Sequence, residues 1–131
     1  MIAVVSLETT FLIDLLSGVP AAVSLAKALE EAGETRCVTP PAAAELLIGA
    51  YYVGGQELTR AENLLDALLL LQFDREAYRE AGRIGADLLS RGEGLATTDL
   101  FIAAISKRHG QALLTRDRSF ARVRGLTVET Y

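Results

Sequence analysis

A chain of 131 residues, half of them hydrophobic, with three prolines and one cysteine, has the size and composition of one domain with its own core. That excludes a disordered tail and a disulfide framework. The formal net charge of −4 argues against wholesale nucleic-acid binding, and an amino terminus without basic residues, its apolar run broken by Glu8 and Asp14, predicts no signal peptide.

The first predicted element is a strand. Ile2-Ala3-Val4-Val5-Ser6-Leu7 is too continuously apolar for a half-exposed strand and stops at Glu8. This reads as a strand buried on both faces that delivers a carboxylate to the edge of a parallel sheet. Thr10 reads as the N-cap of a short helix through Leu16, ended by Gly18. Pro20 opens a second helix with Val23, Ala26, Leu29 and Ala32 on its inner stripe. Residues 35–38 form the second strand, in which Cys37 reads as a small buried hydrophobe. Thr39 followed by Pro40 signals a third helix running to about Val53, apolar nearly all round and therefore expected to be buried on most sides. With two prolines and Glu45 in it, the apolar stretch 37–53 suits a buried helix better than a membrane span, and a soluble cytoplasmic protein is expected.

After Gly54-Gly55, residues 56–67 return as a helix with Leu58, Ala61, Leu65 and Leu68 on one side, and residues 69–73 have the length of a third strand. Asp74 caps a long helix through Arg91, with Ala77, Ala81, Ile84 and Leu88 inward. Thr98 reads as the cap of a helix from Asp99 to about His109, whose histidine is explained by the helix end rather than by catalysis. A fourth strand at 111–115, a helical turn at 117–123 and a short edge strand at 126–129 complete the chain. Strands alternating with helices predict an α/β fold with helices on both faces of a parallel sheet.

The reactive edge of such a sheet lies at the carboxyl ends of its strands. Four carboxylates are candidates to meet there, each with a structural alternative. Glu8 and Asp117 follow strands, where acidic residues are common, and Asp117 also reads as an N-cap. Asp99 sits in a first helical turn, where the dipole alone favours it by roughly 0.3–1 kcal/mol. Glu45 is the sole charge between Arg36 and Glu57, and a carboxylate on so apolar a helix needs a cation or donors. Four clustered carboxylates repel one another unless a cation sits between them, and all-oxygen donors suit Mg²⁺ or Mn²⁺. An acidic nest of this kind points to phosphodiester hydrolysis. Lys107, Arg108, Arg116, Arg118, Arg122 and Arg124, opposed in that run only by Asp117, read either as a solvated face or as a rim for an anionic ligand; Lys107, Arg116 and Arg118 are the RNA-binding candidates.

Over its whole length, residues 1–131, the chain resembles a PIN-domain protein of the VapC toxin type. The resemblance is carried by Leu-Glu-Thr-Thr-Phe-Leu-Ile-Asp-Leu-Leu near the start, Glu45 in Glu-Leu-Leu-Ile-Gly, Thr-Thr-Asp-Leu-Phe-Ile-Ala-Ala around Asp99, and Leu-Leu-Thr-Arg-Asp-Arg-Ser-Phe around Asp117. It implies a three-layer α/β/α sandwich around a mostly parallel sheet of four to five strands. It also implies a Mg²⁺- or Mn²⁺-dependent endoribonuclease, a homodimer, and a VapB-type antitoxin whose tail covers the acidic groove. By the same resemblance Glu45, Asp99 and Asp117 occupy the acidic positions, and Thr10 and Thr115 occupy supporting hydroxyl positions. The departure is Glu8, where the family has aspartate. It reads as a natural variant with relaxed geometry, as the mark of a weakened or silent nuclease, or as a change introduced to make a toxic protein expressible. Two other functions compete: a PIN-like module that binds RNA or a partner without turnover, and a phosphoacceptor domain, for which Asp74 is the sole available acceptor.

Overall fold

The computed structural model describes residues 4–131. Strand β1 (Val4–Leu7) leads into α1 (Thr9–Leu16) and α2 (Pro20–Glu31); β2 (Thr35–Val38) leads into α3 (Pro40–Val53) and α4 (Gly55–Asp66). Strand β3 (Leu69–Leu70) precedes α5 (Arg75–Ser90) and α6 (Thr97–Arg108), followed by β4 (Ala112–Leu114), a 3₁₀ turn (Arg118–Arg122) and β5 (Val128–Glu129). The strands are ordered β3-β2-β1-β4-β5 and every pairing is parallel, so the sheet is wholly rather than mostly parallel. Ile2 and Ala3, read as part of the first strand, lie outside the described residues.

The reading of β1 as a strand buried on both faces holds: Val5, Ser6 and Leu7 are all buried. Alternation sends Val4 and Ser6 to one face, where Val4 packs with Ile105 and Ala77 of α6 and α5. Val5 and Leu7 share a cluster with Phe11, Leu12 and Leu46. Ser6 is tolerated because Ser106 of α6 answers it: their Oγ atoms lie 3.0 Å apart, and Ser106 Oγ also lies 2.8 Å from the Ile102 carbonyl oxygen. This pair ties the central strand to the helix that carries Asp99.

Several boundaries differ from expectation. Glu8, not Thr10, caps α1, its carboxylate accepting from the Thr10 N–H. The inner stripe of α2 is Ala22, Leu25, Ala26 and Leu29, while Val23 and Ala32 are exposed; α2 packs against α1, and the i, i+3, i+4, i+7 set one position earlier faces it. Thr98 lies inside α6, which begins at Thr97 behind Ala96 with no side-chain cap. The third strand is limited to Leu69–Leu70 at the sheet edge, the fourth to Ala112–Leu114 and the fifth to Val128–Glu129. Helix α3 buries one line, Ala42, Leu46 and Ala50, and leaves Ile48 71% and Tyr52 92% exposed, so it is not buried on most sides. The strongest signals stand as read: Thr39 caps α3, Asp74 caps α5, and the buried face of α5 is Ala77, Ala81, Ile84 and Leu88. No single helix among the described residues is long and apolar enough to cross a membrane.

Ser106→Ala strands the buried Ser6 hydroxyl and is expected to lower unfolding free energy by about 1–3 kcal/mol. Ser6→Ala/Ser106→Ala, with both hydroxyls gone, should cost less than the sum of the single changes, as measured by urea unfolding. Strict additivity would show that the two hydroxyls do not depend on each other.

Candidate active site

The order of the sheet reverses between β1 and β4, where an open α/β sheet forms its crevice. In the parallel register Leu7 sits opposite Leu114 and Ser6 opposite Cys37, so the next residues out, Thr39, Glu8 and Thr115, line up across the carboxyl edge. All three are buried. Glu8 is only 3% exposed, and a buried carboxylate needs donors. Its Oε2 accepts from the Thr10 N–H at 2.9 Å; its Oε1 accepts from the Thr10 hydroxyl at 2.8 Å and from the Thr115 hydroxyl. Thr115 Oγ1 in turn accepts from the Asp117 N–H at 3.0 Å. The two supporting threonines and Glu8 therefore form one connected network across β1 and β4.

The other three carboxylates arrive from three different elements. Glu45, on α3, accepts at Oε1 from the Thr9 hydroxyl at 2.7 Å. Asp117 caps the 3₁₀ turn, its Oδ1 accepting from the Ser119 N–H at 2.9 Å and hydroxyl at 2.7 Å. Asp99 lies in the first turn of α6 and accepts no hydrogen bond among the described residues. Burial, and then the charges of Asp117, Glu45 and Glu8, push the Asp99 carboxyl up to about 6. All four acids thus share one electrostatic environment. No three His, Cys, Asp or Glu side chains among the described residues stand together at ion-binding distance, so the carboxylates are neighbours without forming a closed ligand shell. Their chemistry nonetheless fits a hard divalent cation: all donors are oxygen, and Glu45 Oε2, Asp117 Oδ2 and both Asp99 oxygens have no partner among the described residues.

The basic run disperses in space. Lys107 pairs with Glu80 at 2.7 Å, at the end of α6 remote from Asp99, while Arg108 pairs with Asp74 and Arg124 with Asp87. Arg122 donates to the Gly94 carbonyl. Arg116 and Arg118 flank Asp117; Arg116 bonds Asp14, and Arg118 is exposed with no partner among the described residues. His109 closes α6, its Nε2 2.8 Å from the Gln72 carbonyl oxygen, and Asp74 is occupied as the α5 cap. Sequence reasoning missed Thr9, Ser119, Asp14 and Tyr131. The first two were accessible as hydroxyls beside Glu8 and Asp117, whereas Tyr131 carries no local signal.

Because Asp99 binds its proton more tightly in the folded protein than at the ordinary 3.8, its contribution to stability is fully present below that value and is lost as pH rises through about 6. In EDTA, the melting temperature of Asp99→Asn relative to the parent should therefore become more favourable from pH 5 to pH 7.5. A difference independent of pH would contradict this electrostatic account.

A PIN domain profile matches residues 5–126. No curated protein sequence matches the chain closely enough to count as a relative. Among solved structures, the chain is similar to one in VapBC2 from Rickettsia felis bound to a promoter DNA fragment, with 19% identity, 98% of each chain covered and a TM-score of 0.89. It is also similar to one in VapBC-1 from nontypeable Haemophilus influenzae, with 20% identity, 97% of each chain covered and a TM-score of 0.85. A third, in DNA-bound VapBC from Salmonella typhimurium, has 24% identity, covers 99% of this chain and 98% of that one, and has a TM-score of 0.82. With the profile covering the chain from β1 past the 3₁₀ turn, including all four acids, and the fold shared with chains of VapBC complexes, the chain belongs to the PIN domain family.

Proposed function

We propose that this chain is a single PIN domain that acts as the toxin of a VapBC-type pair, a cytoplasmic endoribonuclease dependent on Mg²⁺ or Mn²⁺ that hydrolyses RNA phosphodiester bonds. The observation that carries this reading is the convergence of Glu45, Asp99 and Asp117 on the switch-point edge, with oxygens that have no partner among the described residues and with Asp99 lifted by burial and by its neighbours. Those three, with Glu8 completing the acidic wall, would hold the cation. When bound, the cation supplies an activated water and neutralises charge on the leaving oxygen. Thr9 orients Glu45, and Ser119 orients Asp117. Thr10 and Thr115 hold Glu8 in place through three donated hydrogen bonds. Arg116 and Arg118, on either side of Asp117, would hold RNA phosphates; the pairing of Lys107 with Glu80 speaks against the same role for Lys107.

Two surfaces support the expected partners. A groove of about 220 Å³ between α1, α3 and α4, lined by Ile13, Leu16, Leu46 and Val53 and reaching Glu45, suits an apolar antitoxin segment that would cover the acids. The exposed face of α3, Ile48 and Tyr52 with Tyr51 and Val53 beside them, suits a homodimer. A second reading, a catalytically weakened RNA- or protein-binding module, is favoured by Glu8, whose two oxygens are both engaged.

RNA cleavage is expected to require Mn²⁺ or Mg²⁺, to cease in EDTA, and to fall at least a hundredfold in Asp99→Asn. Cleavage that survives both EDTA and Asp99→Asn would exclude the proposal. A silent parent whose activity appears in Glu8→Asp would establish the binding-module reading. Ile48→Lys/Tyr52→Lys should convert a dimer to a monomer by light scattering, and a persistent dimer would move the interface off α3.

A further inference from the structure

Asp14 is charged yet only 7% exposed, and it lies on α1 one turn beyond Thr10. Such a carboxylate must be answered by donors. Arg116 supplies two, Nε to Oδ2 at 2.6 Å and Nη2 to Oδ1 at 3.3 Å, in a side-on fork; the Tyr131 hydroxyl donates to Oδ2 at 2.6 Å. Tyr131 is itself fixed, its ring standing edge-on to buried Phe11 at 5.1 Å and 83°. Arg116 is therefore held along one edge only. Its side chain is 55% exposed, and Nη1 has no partner among the described residues. The residue stands between Thr115, which serves Glu8, and Asp117, and its own N–H is 3.4 Å from the Thr10 hydroxyl.

We infer that Asp14 and Tyr131 are positioning residues for Arg116, holding its guanidinium as a preformed phosphate-binding fork at the rim of the acidic site. The inference rests on the ribonuclease reading. Stability alone is a poor explanation of the arrangement, because an ion pair with one exposed partner adds little and an apolar residue would fill the place of Asp14 at lower cost. Preorganisation is a better one. A free arginine loses rotamer freedom when it captures a phosphate, whereas a clamped one has lost it during folding. The fork also separates Arg116 from Lys107, Arg108 and Arg124, whose carboxylate partners lie on α5 or at its N-cap. Clamped by a carboxylate on one edge, a guanidinium keeps planar donors on the other, which an ammonium does not.

The test is fluorescence anisotropy of a labelled, mixed-sequence single-stranded RNA, with Ca²⁺ present to occupy carboxylates while limiting turnover. Arg116→Ala should weaken binding about tenfold, and Arg116→Lys, Asp14→Asn and Tyr131→Phe each about three- to fivefold. In an Arg116→Ala background, Asp14→Asn should cost nothing further. Thermal unfolding of each variant identifies any that fails to fold, and Tyr131→Phe, which keeps the contact with Phe11, is the arm least exposed to that failure. An equal loss from Asp14→Asn with and without Arg116, or parental affinity in Asp14→Asn and Tyr131→Phe, would overturn the positioning role while leaving the ribonuclease reading intact. A parent that neither binds this RNA nor cleaves RNA with Mn²⁺ would remove both.

Discussion

The structure depends on one buried carboxylate. Glu8 ends the central strand at the point where the order of the sheet reverses, and its near-complete burial obliges it to find donors within the protein. It takes two from Thr10 at the start of its own helix and one from Thr115 beyond the neighbouring strand. The interaction thus fixes the first turn of α1 against the exit of β4. With that turn fixed, Thr9 faces α3 and bonds Glu45; with that exit fixed, Thr115 receives the Asp117 N–H. Two of the other acids are therefore placed through groups adjacent to Glu8 in space.

The third acid, Asp99, is placed differently. Its helix is anchored by a run of buried residues from Ile102 to Ser106, and the Ser6–Ser106 pair joins that run to the middle of β1. Asp99 then projects from the first turn with no hydrogen bond among the described residues to relieve it, beside three other carboxylates. The fold accepts this repulsion at the site while neutralising charge elsewhere, through Lys107 with Glu80, Arg108 with Asp74, and Arg91 with Asp87 and Glu93. Carboxylates crowded at one edge of a sheet suit a hard cation, and the raised proton affinity of Asp99 is the mark of that crowding.

The legible parts of this chain were those whose physics is local. A threonine before two prolines, an aspartate before an amphipathic run and an alanine-rich stripe with a helical period were all read correctly, because the cap and the face lie within a few residues of each other. The candidate acids were legible because they sit at strand ends or interrupt apolar runs. Failures came where tertiary contact decides. Thr10 is the stronger local capping signal for α1 than a glutamate, and only burial shows why the longer side chain of Glu8 folds back onto the helix. The near-continuous apolarity of α3 predicts burial on most sides, whereas Ile48 has nothing over it among the described residues. The partners that organise the site are 36 residues apart for Thr9 and Glu45, 102 for Arg116 and Asp14, and 117 for Tyr131 and Asp14. No periodicity in a single sequence encodes such pairs.

Glu8 gains meaning from this geometry. The family resemblance sets an aspartate at this position, and the extra methylene suggested a misplaced ligand. In the fold, the longer arm lets one carboxylate meet the backbone and hydroxyl of Thr10 and, across the strand gap, the hydroxyl of Thr115. A shorter side chain from the same buried backbone would have to give up part of that span or draw β4 inward. The glutamate therefore braces the frame of the site with both its oxygens engaged, whereas Glu45, Asp99 and Asp117 each keep at least one oxygen without a partner among the described residues. Among them Asp99, which accepts no hydrogen bond among the described residues, is also the one whose charge burial and the other three acids oppose.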